Sequence, residues 1–109
     1  IPEWTENGIF FISSLYENNH MPKDYFLMEA YPNPFNPVTT LQFSLPQEAE
    51  VILEVYNIQG RVIETLIRQH MIAGYHAIAW DADEYASGIY FIKMMANEYV
   101  DMQKLMLVK

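Results

Sequence analysis

Asp81, Asp83 and Glu84 place three carboxylates within four residues. Oxygen ligands at that density can hold calcium, a hard cation that takes several of them. The stretch lacks the spacing and the glycine of a calcium loop, so these are weak metal candidates and read more simply as a solvated acidic turn. His70 and His76 stand six apart with no cysteine in the chain, a poor zinc pair. His20 is isolated, and Ser13, Ser14, Ser44 and Ser87 carry no nucleophile-elbow or triad signature. With no phosphate-cradling glycine loop either, the residues predict neither catalysis nor a cofactor.

Two other groups have unusual chemistry. Tyr25, Tyr31, Tyr56, Tyr75, Tyr85 and Tyr99 fall near expected turns or strand ends, where they could form a sugar-stacking platform or bury their rings at core edges with wet hydroxyls. The run Tyr31-Pro32-Asn33-Pro34-Phe35-Asn36-Pro37 combines three prolines with two Asn-Pro steps. It is stiff and poor in backbone donors, and Phe35 is expected to anchor it as an arch on the edge of the fold.

The chain that must position these groups has 109 residues, 51% of them hydrophobic and 18% charged, enough for one core. Its net charge of −8, from 14 acids against 6 basic side chains, opposes the phosphate backbone of any nucleic acid. No cysteine is present, which excludes disulfides and thiolate metal sites. No apolar run is long enough to span a bilayer as a helix, and the first residues, Ile1-Pro2-Glu3-Trp4, lack signal-peptide character. The missing initiator Met and a first thirty residues carrying half of the net charge predict a piece of a longer protein.

Residues 1–26 read as a linker, with Ile9–Tyr16 as a plausible extended stretch. From about residue 27, short alternating runs separated by turn signals predict half-buried strands. A leading strand is expected over Phe26–Tyr31. Leu41, Phe43 and Leu45 form one inward row ended by Pro46, and Val51, Leu53 and Val55 the next, flanked by Glu50 and Glu54; the two runs are expected to be antiparallel neighbours.

Gly60 suits a turn needing positive φ. Arg61–Gln69 is ambiguous, because Ile63, Leu66 and Ile67 follow helical spacing, and it reads as a bulged strand. After Ala73-Gly74, His76, Ile78 and Trp80 share one face, with Trp80 as a core plug. Past Gly88, Tyr90, Ile92 and Met94 share the buried face, and Tyr90 is expected to tie its hydroxyl to nearby backbone. Asn97-Glu98 reads as a tight hairpin, and a final strand runs through Leu105–Val108 to Lys109. Seven strands at this spacing predict an all-β, immunoglobulin-like antiparallel sandwich.

Five motifs occur in order: Tyr31-Pro-Asn-Pro-Phe-Asn-Pro37, Val55-Tyr-Asn-Ile-Gln-Gly60, Ala73-Gly-Tyr-His76 with Trp80-Asp81, Ala86-Ser-Gly-Ile-Tyr-Phe91, and Gln103-Lys-Leu-Met-Leu-Val-Lys109. Over residues 27–109 they resemble the C-terminal sorting domain of type IX secretion substrates, and in part the immunoglobulin-like domain of flagellar hook-capping proteins. Ala30 departs from the family pattern, where Asn is common, and residues 1–26 have no counterpart in it: beside such a domain they would be a linker, the tail of an upstream passenger or one extra strand.

The resemblance implies a non-enzymatic module that carries a covalently linked passenger through the periplasm and across the outer membrane to the surface. Outer-membrane secretion machinery would read it, and a sortase-like surface protease would remove it. It maps recognition to Pro32, Asn33, Pro34, Phe35, Asn36 and Pro37 and to Lys104, Leu105, Met106, Leu107, Val108 and Lys109, leaving Gly60, Gly74, Trp80, Gly88 and Tyr90 as structural positions. A free C-terminal edge strand, open to strand addition, is the expected means of recognition. The contrasting expectation is an immunoglobulin-like spacer or carbohydrate-associated accessory module of a secreted enzyme, with Tyr75 and Tyr85 touching the glycan.

Overall fold

The structure, a computed structural model, describes residues 21–109. The stretch expected over Ile9–Tyr16, with most of the upstream linker, lies outside the described residues. Seven strands form: β1 (Phe26–Leu27), β2 (Val38–Leu45), β3 (Ala49–Tyr56), β4 (Val62–Met71), β5 (Gly74–Asp81), β6 (Gly88–Ala96) and β7 (Tyr99–Leu107). They make a three-stranded sheet ordered β1-β2-β5 and a four-stranded sheet ordered β4-β3-β6-β7, all paired antiparallel. The two sheets pack as an immunoglobulin-like sandwich.

The alternating rows meet between the layers. Leu41, Phe43 and Leu45 of β2 face Val51, Leu53 and Val55 of β3, Ile92 and Met94 of β6, and Leu105 and Leu107 of β7, all essentially inaccessible to solvent. Burying each such side chain contributes about 1.5–3 kcal/mol, so these rows dominate the fold's stability. Trp80 plugs the core from β5, and Tyr90 near the start of β6 donates its hydroxyl to the Ala86 carbonyl at 2.6 Å. That back-bond is the tyrosine corner of immunoglobulin-like sandwiches.

Four expectations need correction. The runs around Leu41–Leu45 and Val51–Val55 are not neighbours in one sheet: β2 pairs with β1 and β5, whereas β3 pairs with β4 and β6. Leu45 and Ala49 are both buried, so the short Pro46-Gln47-Glu48 connection carries the chain from one layer to the other instead of closing a hairpin.

The leading strand is also shorter than Phe26–Tyr31. Its paired residues end at Leu27, the Met28 N–H makes one last bond to the Gln42 carbonyl, and pairing resumes as a bridge between Tyr31 and Thr40, because the Met28 carbonyl and the Ala30 N–H turn to the Gln103 side chain. Glu54 is buried rather than exposed; Tyr56 donates its hydroxyl to Oε1 at 2.9 Å and Arg68 lies 3.5 Å from Oε2. Finally, the last strand begins as early as Tyr99 and ends at Leu107.

β4 resolves the helical spacing. Leu53 faces Ile67 but Glu54 faces Thr65, and Val55 faces Glu64 but Tyr56 faces Val62, so Leu66 and Ile63 are each one residue extra. Every bulge re-phases the alternation. Ile63, Leu66 and Ile67 therefore all pack on the core from an extended strand. Gly60 takes φ +82° where the Asn57 side chain accepts the Arg61 N–H, a backbone position that disfavours a Cβ. Gly74 and Gly88 also have positive φ, and Asn97 takes φ 53° in the two-residue hairpin before Glu98.

Candidate functional site

The proline arch is held at three levels. Tyr31 exchanges backbone bonds with Thr40, Thr39 Oγ1 donates to the Pro32 carbonyl at 2.7 Å, and the Pro37 carbonyl accepts the Ala82 N–H at 2.8 Å. Phe35 drops into the core, 2% exposed, with its ring centroid 5.5 Å from that of Trp80. Tyr85 and Tyr90 complete an aromatic cluster around the indole at 5.8 and 5.7 Å.

The arch then meets the end of the chain. Phe35 donates its N–H to the Met106 carbonyl and accepts the Val108 N–H, each at 2.9 Å, as a parallel bridge. One step earlier, the Asn33 side chain acts as a surrogate peptide: Nδ2 donates to the Lys104 carbonyl at 2.9 Å, and Oδ1 accepts the Met106 N–H at 3.0 Å. The Gln103 side chain returns the arrangement, with Oε1 accepting the Ala30 N–H at 2.7 Å and Nε2 donating to the Met28 carbonyl at 2.8 Å. Tyr99 accepts the Leu27 N–H at 3.2 Å and donates to Asp101. Burial, and then the bond to Asp101, raises the Tyr99 phenol above its usual range.

Residues 27–35 thus run alongside residues 99–108 in one direction, joined mostly through side chains. The free C-terminal edge strand expected from the sequence is not free: its outer edge is covered from Lys104 to Val108. Within the terminal segment Leu105 and Leu107 are core residues, while Lys104, Met106, Val108 and Lys109 are exposed. Lys109 is itself fixed, its N–H donating to Ser87 Oγ at 3.0 Å and its ammonium to the Asp83 carbonyl. The two segments that the sequence singles out are therefore joined side by side.

Gln103 and Tyr99 were not singled out for this role. Their signal was present: Tyr99, Asp101 and Gln103 share an alternating row with Leu105 and Leu107, and polar side chains on an inward row need partners.

Other candidates do not assemble. Asp81, Asp83 and Glu84 border one shallow cleft with Glu64 and Tyr85, but Asp81 accepts the Asp83 N–H in a local turn. No group of three metal-ligating side chains suited to an ion occurs among the described residues. Glu64 instead accepts the Trp80 indole N–H at 3.1 Å and lies 3.0 Å from the Tyr85 hydroxyl, whose pKa burial and then this carboxylate push up. His70 pairs with Glu48 and His76 with the Ile72 carbonyl. Of the tyrosines, Tyr31 and Tyr75 are exposed, Tyr75 at the start of β5, whereas Tyr85 packs on Trp80 beyond the other end of that strand, so Tyr75 and Tyr85 are not brought together. Tyr25 stacks on Tyr99 at 5.5 Å, its hydroxyl accepting from Asn97 and Gln47.

No helix among the described residues is long and apolar enough to cross a membrane. A search of curated proteins finds no match to this chain. A family profile described as the secretion system C-terminal sorting domain matches residues 29–109, a span that starts just before the proline arch and ends with the terminal strand. The chain accordingly belongs to the C-terminal sorting domain family of the type IX secretion system, non-catalytic modules that direct secretion of an attached protein.

Proposed function

We propose that the sorting address is the joined pair of segments Pro32–Pro37 and Lys104–Lys109. In this reading outer-membrane secretion machinery engages them after the attached protein reaches the periplasm. A sortase-like surface protease then cuts upstream of the sandwich. The observation that carries the reading is the pairing of Asn33 and Phe35 with Lys104, Met106 and Val108, which merges the two family motifs into one surface. Support for a cut upstream comes from Asp24, whose carbonyl accepts the Ser44 hydroxyl at 2.9 Å, so the backbone is tied down from that point. A backbone held in this way from Asp24 onward resists proteolysis within the sandwich.

The test is a reporter fused ahead of the full chain in a competent host. Removing Lys104–Lys109 is expected to leave the reporter in the periplasm, but it also takes Leu105 and Leu107 from the core. The exposed-residue variant Lys104→Glu/Met106→Asp/Lys109→Glu keeps those anchors and is expected to cut surface delivery at least tenfold. Normal delivery of that variant would remove the terminal segment from the address.

A further inference from the structure

An uncovered terminal edge would invite recognition by strand addition, in which main-chain groups of the edge pair with an incoming strand. The outward main-chain groups near the end of β7 are already taken: the Lys104 carbonyl and Met106 N–H by the Asn33 amide, and the Met106 carbonyl and Val108 N–H by Phe35. Gln103 holds the opposite member of the same seam through Met28 and Ala30. Four of these contacts come from two primary amides, the side chains that best copy a peptide group because each offers a donor and an acceptor. With the edge closed, what remains accessible between Lys104 and Lys109 is a set of side chains at fixed spacing, those of Lys104, Met106, Val108 and Lys109.

Building on the proposed sorting address, we infer that Asn33 and Gln103 are positioning residues of the signal: Asn33 closes the terminal part of the outer edge of β7 and Gln103 clamps the covering segment at Met28 and Ala30, so that the machinery reads exposed side chains on a folded domain and does not add a strand there. The partner this arrangement fits has an apolar depression for the Met106 thioether flanked by acceptors for the Lys104 ammonium. A domain whose seam has opened presents neither the spacing nor the rigidity, so the seam couples sorting to completed folding.

The test uses the same full-chain reporter fusion carrying Asn33→Ala, Gln103→Ala or, as a control on the far side of the sandwich, Ile67→Val, a core trimming expected to lower the melting temperature to a similar extent. Asn33→Ala and Gln103→Ala are expected to keep the sandwich's far-ultraviolet spectrum. Amide exchange should accelerate at least tenfold at Met106 in the first and at Ala30 in the second. Surface delivery should fall at least tenfold in both, while Ile67→Val is delivered normally.

Delivery of the two amide variants equal to that of Ile67→Val overturns the inference. Improved delivery overturns it as well, since that is what strand addition to a bared edge would give. In either case the Lys104→Glu/Met106→Asp/Lys109→Glu fusion still decides whether the terminal segment belongs to the address. If the variants, Ile67→Val included, lose delivery in proportion to melting temperature, stability alone explains the effect and the positioning role falls.

Discussion

The indole N–H of Trp80 donates to Oε1 of Glu64 at 3.1 Å, joining β5, an edge strand of one sheet, to β4, an edge strand of the other. Tyr85 shares the same carboxylate. The sandwich is therefore closed by polar bonds on this side and by the Asn33 and Gln103 seam on the other, with the apolar rows between them.

Glu64→Ala leaves the buried indole donor unpaired and is expected to cost about 1–3 kcal/mol. In a domain of this size that lowers the melting temperature by roughly 4–8 °C per kcal/mol. Glu64→Gln keeps an acceptor oxygen and should lose less than half as much. Calorimetry on both variants checks this, and equal losses would mean that the oxygen is not the stabilising feature.

Tyr90→Phe removes only the hydroxyl that bonds the Ala86 carbonyl. The expected loss is about 1 kcal/mol in denaturant unfolding with an unchanged m-value. A neutral outcome would show that the ring alone, packed against Trp80, fixes the start of β6.

Phe35→Ala empties a buried ring site and is expected to cost about 3–5 kcal/mol. Because the Val108 N–H bonds the Phe35 carbonyl, its exchange should speed up along with the loss of stability. A loss below about 1 kcal/mol would mean the arch is held without its anchor.

Alkaline stability follows from the tyrosines. Tyr85 and Tyr99 are raised above the ordinary value of 10.0, in both cases chiefly by burial. The unfolded chain then releases these protons first, so their contribution is complete below about pH 10 and declines as pH rises through the higher folded values. Tyr85→Phe/Tyr99→Phe should flatten the stability profile above pH 10, as measured by denaturant midpoints from pH 8 to 11. An unchanged slope would place the titration elsewhere.

Most of the architecture was legible in the sequence, because rows such as Tyr90-Ile92-Met94 alternate strictly and bury strictly. Even β4 could be read once its three-and-four spacing was attributed to bulges. The pairing of β2 was not legible: three residues after Leu45 normally close a hairpin, and only the burial of both Leu45 and Ala49 reveals a crossing between layers.

The motif residues of the site were likewise visible, but not their relation to one another. That relation depends on amide side chains replacing peptide groups between segments some seventy residues apart, for which no local periodicity exists. The polar row Tyr99-Asp101-Gln103 was the one sign, since it interrupts a face that should have been apolar.

The parallel course of residues 27–35 and 99–108 also fixes where the two ends of the domain emerge. Tyr25 lies against Tyr99 and Asn97 at one pole of the sandwich, whereas Lys109 sits beside Ser87 at the other, a strand length of about 27 Å away. Cargo tethered upstream thus hangs from the pole opposite the terminal lysine. In the address proposed above, a receptor engaging Lys109 approaches from the side away from the attached protein.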